Sequence, residues 1–144
     1  MPNIADMRRQ HDAAEEIATT ILARMSDYRG DDDAGPLVRL LHKLNALLRL
    51  HFAYEDTVLY PTMIAGSDPE AASLASRFQD EMGALAEQFE DFVRRWSLNA
   101  AIAAHFEEFR AEATALLAAL GARIELENDL LYPLAERVKQ RRAA

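Results

Sequence analysis

The stretch HFAYEDTVLYP, residues 51–61, decides the fold of this chain, because a closely related stretch, RIELENDLLYP, follows at residues 123–133. In each stretch a glutamate stands four residues after another polar residue, so the two side chains share one face of a helix. A proline closes each stretch and is expected to end or kink the helix there. Each stretch therefore aims two polar side chains in one direction near a helix end.

The two copies differ in the residue that precedes the glutamate on this face. The first copy has His51 with Glu55, a pair of residue types that binds metals, whereas the second has Arg123 with Glu127. A guanidinium group cannot bind a metal, stays protonated and forms two-point pairs with carboxylates. This one difference therefore bears directly on function.

Glycine, proline and aspartate divide the chain into four long helical stretches. Breaks fall at Gly30 with the following DDDAG, at Pro61 with GSDP, and before Asn99, which is suited to cap the next helix. Helix-forming sequence resumes at Glu70 after the second break. Four long helices with short connections predict an all-α fold, an up-down antiparallel four-helix bundle.

Composition limits the class of protein. The 144 residues suffice for one domain, residues 1–144, with a core that needs no disulfide, and the chain has no cysteine. A net charge of -8 disfavours nucleic acid as a partner, because phosphate contacts need a concentrated basic surface. The sequence shows no secretory signal and no apolar stretch of membrane-spanning length, so we expect a cytoplasmic protein with no membrane partner.

Each helical stretch carries an apolar seam with alternating spacings of three and four residues. This spacing places Ala18 and Leu116 on the seams, and it continues the seams to Val58 and Leu130 after the two glutamates. Few strongly polar residues fall on the seams. They are His11, His51, Glu55, Arg123 and Glu127.

The five polar seam residues are expected to lie at the same end of the bundle. In an antiparallel bundle the start of the first helix meets the ends of the second and fourth helices. Buried ionisable groups are costly unless they are paired or bind a metal, so five of them at one level indicate one polar site. Tyr60 and Tyr132 lie near the same helix ends, where they either orient metal ligands or simply pack.

With these residues the sequence resembles the hemerythrin-like, or HHE cation-binding, family over nearly its whole length. That family is a four-helix bundle around a non-heme diiron site that binds dioxygen or related small molecules. The helix 1 histidine of the family matches His11, and its HxxxE element with the following L-Y/F-P matches His51, Glu55 and the LYP ending at Pro61. The resemblance thus implies iron as the cofactor.

The chain departs from the family pattern at two ligand positions. The helix 3 histidine of the family falls on Met82, in EMGAL, and the histidine of its second HxxxE element falls on Arg123. The resemblance therefore implies that the iron position served by His11 and His51 is kept, together with the carboxylates of Glu55 and Glu127. The other position has no histidine left.

Three states of the site remain open from the sequence. One non-heme metal is held by His11, His51, Glu55 and Glu127; or Arg123 forms a metal-free ion-pair network with the two glutamates; or a second metal uses substitutes such as Glu81 or Glu125. Met82 suits core packing better than metal binding, because the other site groups are hard donors.

Two functions follow from these states. The first is a hemerythrin-like metal-binding protein that binds or senses a small ligand such as dioxygen or nitric oxide. The second is a metal-free helical bundle that serves as a signalling or interaction module, for a protein partner that the sequence does not identify. The chain has no Gly-rich phosphate loop, nucleophile elbow or HExxH element, so no catalytic residue is predicted.

Overall fold

The computed structural model describes residues 3–143, and over this range the chain is an all-α bundle, as predicted. A 3₁₀ turn (Asp31–Asp33) and two π-helical segments, π1 (Glu55–Leu59) and π2 (Glu127–Leu131), accompany the helices. No helix within the described range is long and apolar enough to cross a membrane. The helices are α1 (Ile4–Ser26), α2 (Ala34–Tyr54), α3 (Tyr60–Ile64), α4 (Pro69–Arg95), α5 (Asn99–Ala104), α6 (Phe106–Leu126) and α7 (Tyr132–Ala143).

Buried apolar side chains form two clusters along the bundle. The larger contains Leu48 and an aromatic group in which Trp96 meets Phe109 edge to face, with ring centroids 5.4 Å apart. The smaller contains Met7 and Leu59 and lies near the two π segments. Because the polar seam residues fall between these clusters along α1 and α2, apolar packing shields them from water on both sides.

Each π segment lies just before a proline, and helical structure continues beyond that proline. The N–H of Tyr60 donates to the carbonyl of Glu55, and the N–H of Tyr132 donates to that of Glu127. Each of these bonds spans five residues, which defines a wide π turn. Proline lacks an N–H and its ring crowds the carbonyl four residues earlier, so a widened turn before Pro61 lets helical structure continue.

The wider turn of each π segment shifts the buried seam by one residue. Leu59 and Leu131 are fully buried, whereas the predicted position Leu130 is 45% exposed. Val58, predicted on the seam of the first copy, is only partly buried. The prediction was wrong at both positions because it assumed an α-helical period through the repeated stretches.

The seam also shifts by one residue in two regular helices. Ile17 and Leu117 are buried where Ala18 and Leu116 were predicted. A straight α-helix repeats every 3.6 residues and not every 3.5, so the inward position drifts after several turns.

The start of α4 matches the prediction to within one residue, whereas α2 begins at Ala34, inside the predicted break DDDAG. Asn3 caps α1 by accepting from the N–H of Asp6, and Asp68 caps α4 by accepting from two first-turn N–H groups. Helix α4 thus begins at Pro69, one residue before the predicted Glu70. The predicted cap at Asn99 is wrong, because Leu98 holds the extended cap conformation and Asn99 is already helical.

The fourth predicted helix is divided. Helix α5 ends at Ala104, and His105 leaves helical geometry with φ of -136° and ψ of 47° before α6 begins. The phenol ring of Tyr28 stacks on Phe106 just after this break, with ring centroids 3.7 Å apart. The break lies far along α6 from the polar site, so it does not disturb the site.

Asp68 also connects the last helix to the bundle. Its carboxylate accepts from Arg137 at 2.7 Å and from Arg141 at 3.3 Å, both on α7. The hydrogen bond from Arg137, with the one from the N–H of Ala71, holds the pKa of Asp68 below its usual range. Helix α7 is therefore tied to the N-terminus of α4.

Candidate metal centre

Six polar side chains meet where α1 and α2 pass the two π segments. All six are at most 2% exposed. Helix α1 contributes one of them, α2 a second, and each π segment contributes its first residue and the tyrosine that follows its last. They are His11, His51, Glu55, Tyr60, Glu127 and Tyr132.

The two imidazoles and one carboxylate lie closest together. Nε2 of His11 is 3.0 Å from Nε2 of His51 and 3.1 Å from Oε1 of Glu127. Nε2 of His51 is 3.9 Å from the same carboxylate oxygen. His11, His51 and Glu127 therefore form a buried group of three side chains that could hold a metal ion.

Two amide side chains fix the orientation of the imidazoles. Nδ1 of His11 donates to Oδ1 of Asn128 at 2.8 Å, and Nδ1 of His51 donates to Oε1 of Gln10 at 2.7 Å. Since an amide oxygen only accepts, each Nδ1 carries the proton and each neutral ring keeps a lone pair on Nε2. Metal-binding histidines are commonly held by such a bond from the second ring nitrogen.

Sequence reasoning did not predict Gln10 or Asn128. Each is adjacent in sequence to a predicted site residue, Gln10 to His11 and Asn128 to Glu127. That adjacency was the only available signal. Neither residue lies on the apolar seam of its helix.

The spacing of the donor atoms fits a metal ion. Two lone pairs that face each other at 3.0 Å repel unless a proton or a cation lies between them. With metal–ligand bonds of about 2.1 Å, neighbouring donor atoms lie about 3.0 Å apart in octahedral and about 3.4 Å apart in tetrahedral coordination. The contacts of His11 Nε2 fall at the octahedral end of this range.

Glu55 lies beside this group. Its Oε1 is 3.2 Å from Nε2 of His51, yet neither carboxylate oxygen receives a well-aligned hydrogen bond from a protein donor. Both oxygens are buried, and an unsatisfied buried carboxylate is costly. A cation near His51 would satisfy it.

The two glutamates differ in their electrostatics. Burial, followed by contact with the Glu127 carboxylate, raises the pKa of Glu55 well above its usual value. Burial also acts to raise the pKa of Glu127, but contacts with Glu55 and both imidazoles outweigh it and hold that pKa below the usual range. Glu127 is therefore the ionised member of the pair.

The π segments explain why both tyrosines reach the site. Residues five apart point about 140° apart on an α-helix, but they lie nearly above one another in a π turn. Glu55 with Tyr60, and Glu127 with Tyr132, have this spacing. The hydroxyl of Tyr60 donates to Oε2 of Glu127 at 3.4 Å, and the hydroxyl of Tyr132 lies 3.0 Å from Nε2 of His11.

Arg123 lies at the edge of the site. Its guanidinium is 2.6 Å from the carboxylate of Glu81, on α4, and it stacks over the ring of Phe78 at 4.1 Å. The inward position on α6 is taken by Ile124, which is buried. Among the ion pairs of the described residues, Arg123 thus pairs with Glu81, and not with Glu55 or Glu127 as the metal-free network required.

The remaining predicted positions lie around this centre. Met82 is buried and lines a narrow crevice beside Glu55, together with Phe52, Tyr60 and Gly83. Glu125 is exposed, and Glu81 is 48% exposed. The described residues contain no second group of three metal-binding side chains besides His11, His51 and Glu127.

Comparison with known proteins agrees with this geometry. Residues 3–135 match the family model of the hemerythrin HHE cation binding domain. No curated protein and no solved structure matches the chain. Since the family model covers nearly the whole helical bundle, including all six buried side chains of the site, the chain belongs to the hemerythrin HHE cation-binding domain family.

Proposed function

We propose that the protein is a hemerythrin-like non-heme metal protein that holds one metal ion between His11, His51 and Glu127, with Glu55 beside it. One observation carries this proposal. The two Nε2 atoms and a carboxylate oxygen converge in a buried space, while both Nδ1 atoms are engaged by amide oxygens. The metal-binding tautomer of each imidazole is thus already selected.

The donor set supports iron as the metal. Imidazole nitrogens and carboxylate oxygens suit iron, manganese and zinc, and the absence of thiolates in the sequence disfavours softer metals. The chain belongs to the hemerythrin HHE cation-binding domain family. Because the resemblance to this family implies non-heme iron, iron is favoured among these three metals. When bound, the metal supplies a coordination position for a small ligand.

Occupancy by one metal, and not two, follows from the residues on the opposite side. Met82 and Ile124 present apolar side chains there, and Arg123 adds a fixed positive charge that opposes a second cation. Reversible dioxygen carriage by a diiron pair needs two irons to supply two electrons. A one-metal site is instead suited to binding or sensing dioxygen or nitric oxide.

The crevice beside Glu55 supports access of a small ligand. It connects exposed residues, Gly83 and Asp56, with the buried carboxylate, and its free volume of about 10 Å³ is close to that of one water molecule. A β-carbon added at Gly83 would meet no atom within 4 Å, so this end of the crevice is open. A diatomic molecule matches these dimensions better than an organic substrate.

The alternative is a metal-free bundle that serves as an interaction module. A single proton between the two Nε2 atoms would also relieve their repulsion, and the ionised Glu127 would neutralise the resulting charge. In this arrangement Glu55 keeps its proton in a buried position where neither of its oxygens has a well-aligned hydrogen-bond partner, whereas a metal would supply one. The bound metal is therefore the better account of the site.

Metal analysis of protein purified without an affinity tag tests the proposal. We expect about one iron per chain after anaerobic loading with ferrous iron, and a ferrous nitrosyl signal in electron paramagnetic resonance after nitric oxide is added. A chain without metal under these conditions would favour the interaction module. Two irons per chain would favour the dimetal site.

A further inference from the structure

We propose that the hydroxyl oxygen of Tyr132 is a direct ligand of the metal, so that the site is a two-histidine, carboxylate and phenolate centre. This inference rests on the proposed function and adds a donor of a different chemical class. The carboxylates and histidines of the site lie on the repeated polar positions of the helices. Tyr132 is instead the residue that directly follows π2.

The position of the hydroxyl carries the inference. It lies 3.0 Å from Nε2 of His11 and 3.4 Å from Nε2 of His51. These are the separations expected of neighbouring donor atoms around a metal with bonds of about 2.1 Å. The hydroxyl therefore shares the space that both imidazole lone pairs face.

Stacking fixes the ring that carries this hydroxyl. The rings of Tyr132 and His11 are 18° from parallel with centroids 5.1 Å apart, and Tyr132 is fully buried. Arg8 also contacts this ring, and its guanidinium carbon lies 5.4 Å from the centroid of the phenol ring. Burial and the carboxylates of Glu127 and Glu55 raise the pKa of the Tyr132 hydroxyl, and the charge of Arg8 offsets only part of this, so loss of the proton depends on the bound metal.

Tyr60 provides an internal comparison. It occupies the same position after π1, in the same LYP sequence, and is also fully buried. Its hydroxyl, however, donates to Oε2 of Glu127 at 3.4 Å, away from the oxygen of Glu127 that faces His11. Tyr60 thus orients a ligand, whereas Tyr132 is itself placed among the donor atoms.

Ligand binding by Tyr132 involves no electron transfer. The O–H bond breaks, the oxygen keeps the electron pair and shares it with the metal, and the proton leaves to solvent. Phenolate and carboxylate together place two negative charges on the metal, which favours the ferric over the ferrous state. The proposal therefore predicts an optical signature that a histidine and carboxylate site lacks.

Iron-loaded protein that has been oxidised in air tests the inference. We expect a visible phenolate-to-iron charge-transfer band in the parent protein and phenolate vibrations in its resonance Raman spectrum. Tyr132→Phe should lose both signals while it keeps most of the iron. Tyr28→Phe, which changes a tyrosine that stacks on Phe106 away from the site, is the control and should keep the band and the iron.

The outcomes separate this inference from the proposed function. Iron bound without a visible band, or a band that survives Tyr132→Phe, would overturn the phenolate ligand and leave the metal site standing. A parent protein that binds no iron would overturn both. If Tyr132→Phe fails to fold, the resonance Raman spectrum of the unmodified protein still decides, because absent phenolate vibrations contradict the proposal.

Discussion

The two copies of the repeated stretch build the same backbone and different chemistry. Each has a π segment that begins at its glutamate, a fully buried leucine at the end of that segment, and a fully buried tyrosine before the proline. In the first copy, however, His51 occupies the inward position of the preceding helical turn. In the second copy Ile124 occupies it, and Arg123 lies one residue away at the edge.

This difference shows that the copies are not related by a simple exchange of histidine for arginine. On α6 the inward face is turned by one residue relative to α2, so the arginine pairs with Glu81 on a neighbouring helix. The carboxylate of Glu127 is thereby left to the imidazoles of His11 and His51. The first copy supplies an imidazole to the centre, and the second supplies the carboxylate that lies against both imidazoles.

The largest expected effect tests whether the copies differ in metal binding. His51→Ala removes one of two imidazoles and should reduce metal occupancy from about one per chain to near zero. Arg123→Ala, the equivalent position of the second copy, should leave occupancy unchanged. Metal content is measured by mass spectrometry on folded, untagged protein, with His11→Ala as a second loss variant. Equal occupancy in the His51 and Arg123 variants would contradict the comparison.

The next effect tests the shifted seam after π2. Leu131→Ala removes a fully buried side chain and should lower the free energy of unfolding by about 2 to 5 kcal/mol. Leu130→Ala, at the position expected for an uninterrupted α-helix, should cost about 0.5 kcal/mol or less. Urea denaturation of both variants measures the difference. A larger loss for the Leu130 variant would show that π2 is absent in solution.

A smaller effect tests the edge position of Arg123. Arg123→Leu removes the ion pair with Glu81 and the stacking of the guanidinium on Phe78. Arg123 is only 11% exposed, but Glu81 is half exposed and stays solvated when it loses this partner, so the change should cost about 1 kcal/mol or less. Arg77→Leu, which removes a more exposed partner of the same glutamate, is the matched control. Chemical denaturation at low and high salt compares them. A loss of about 3 to 5 kcal/mol would indicate a fully buried charge network instead.

The smallest effect concerns the helix that follows the second copy. Helix α3 ends at Ile64, whereas α7 continues to Ala143 and is tied to Asp68. Because the folded state lowers the pKa of Asp68, this carboxylate stabilises the fold above its unfolded pKa and loses that contribution as the pH falls through its folded value. Asp68→Asn should lower the melting temperature at pH 7 by less than Leu131→Ala does.

Melting curves as a function of pH check this sign. The difference between the parent and Asp68→Asn should shrink as the pH falls below about 4. Asp12→Asn, an exposed aspartate on α1, serves as the control. A difference that grows towards low pH would contradict the assigned ion pair.

Sequence patterns were enough to predict the helical bundle and the meeting of the polar residues on its apolar seams. His11, His51, Glu55 and Glu127 were each found from the three and four spacing, and all are buried together. The same spacing failed after each glutamate, because a π turn has a longer period that leaves no simple trace in apolar residues.

The positions that sequence reasoning missed depend on tertiary contacts. Asn128 and Gln10 orient the imidazoles from outside the seam, so periodicity cannot identify them. The choice between Arg123 and Ile124 as the inward residue depends on a rotation of α6 that is set by packing against both α1 and α4. The ion pair with Glu81 could not be read from either helix alone.

Each π segment amounts to one residue inserted into an α-helix, and this has a consequence for how the site responds to a change in chain length. Deleting Asp129, an exposed residue within π2, would restore an ordinary helical turn in which the tyrosine follows Glu127 by four residues. Residues four apart share one face of an α-helix, so the phenol would stay on the side of Glu127, and no residue that touches a ligand would change. A single codon gained or lost at this exposed position would therefore leave the phenol facing the imidazoles, so the site tolerates a change in chain length that would turn a regular helix.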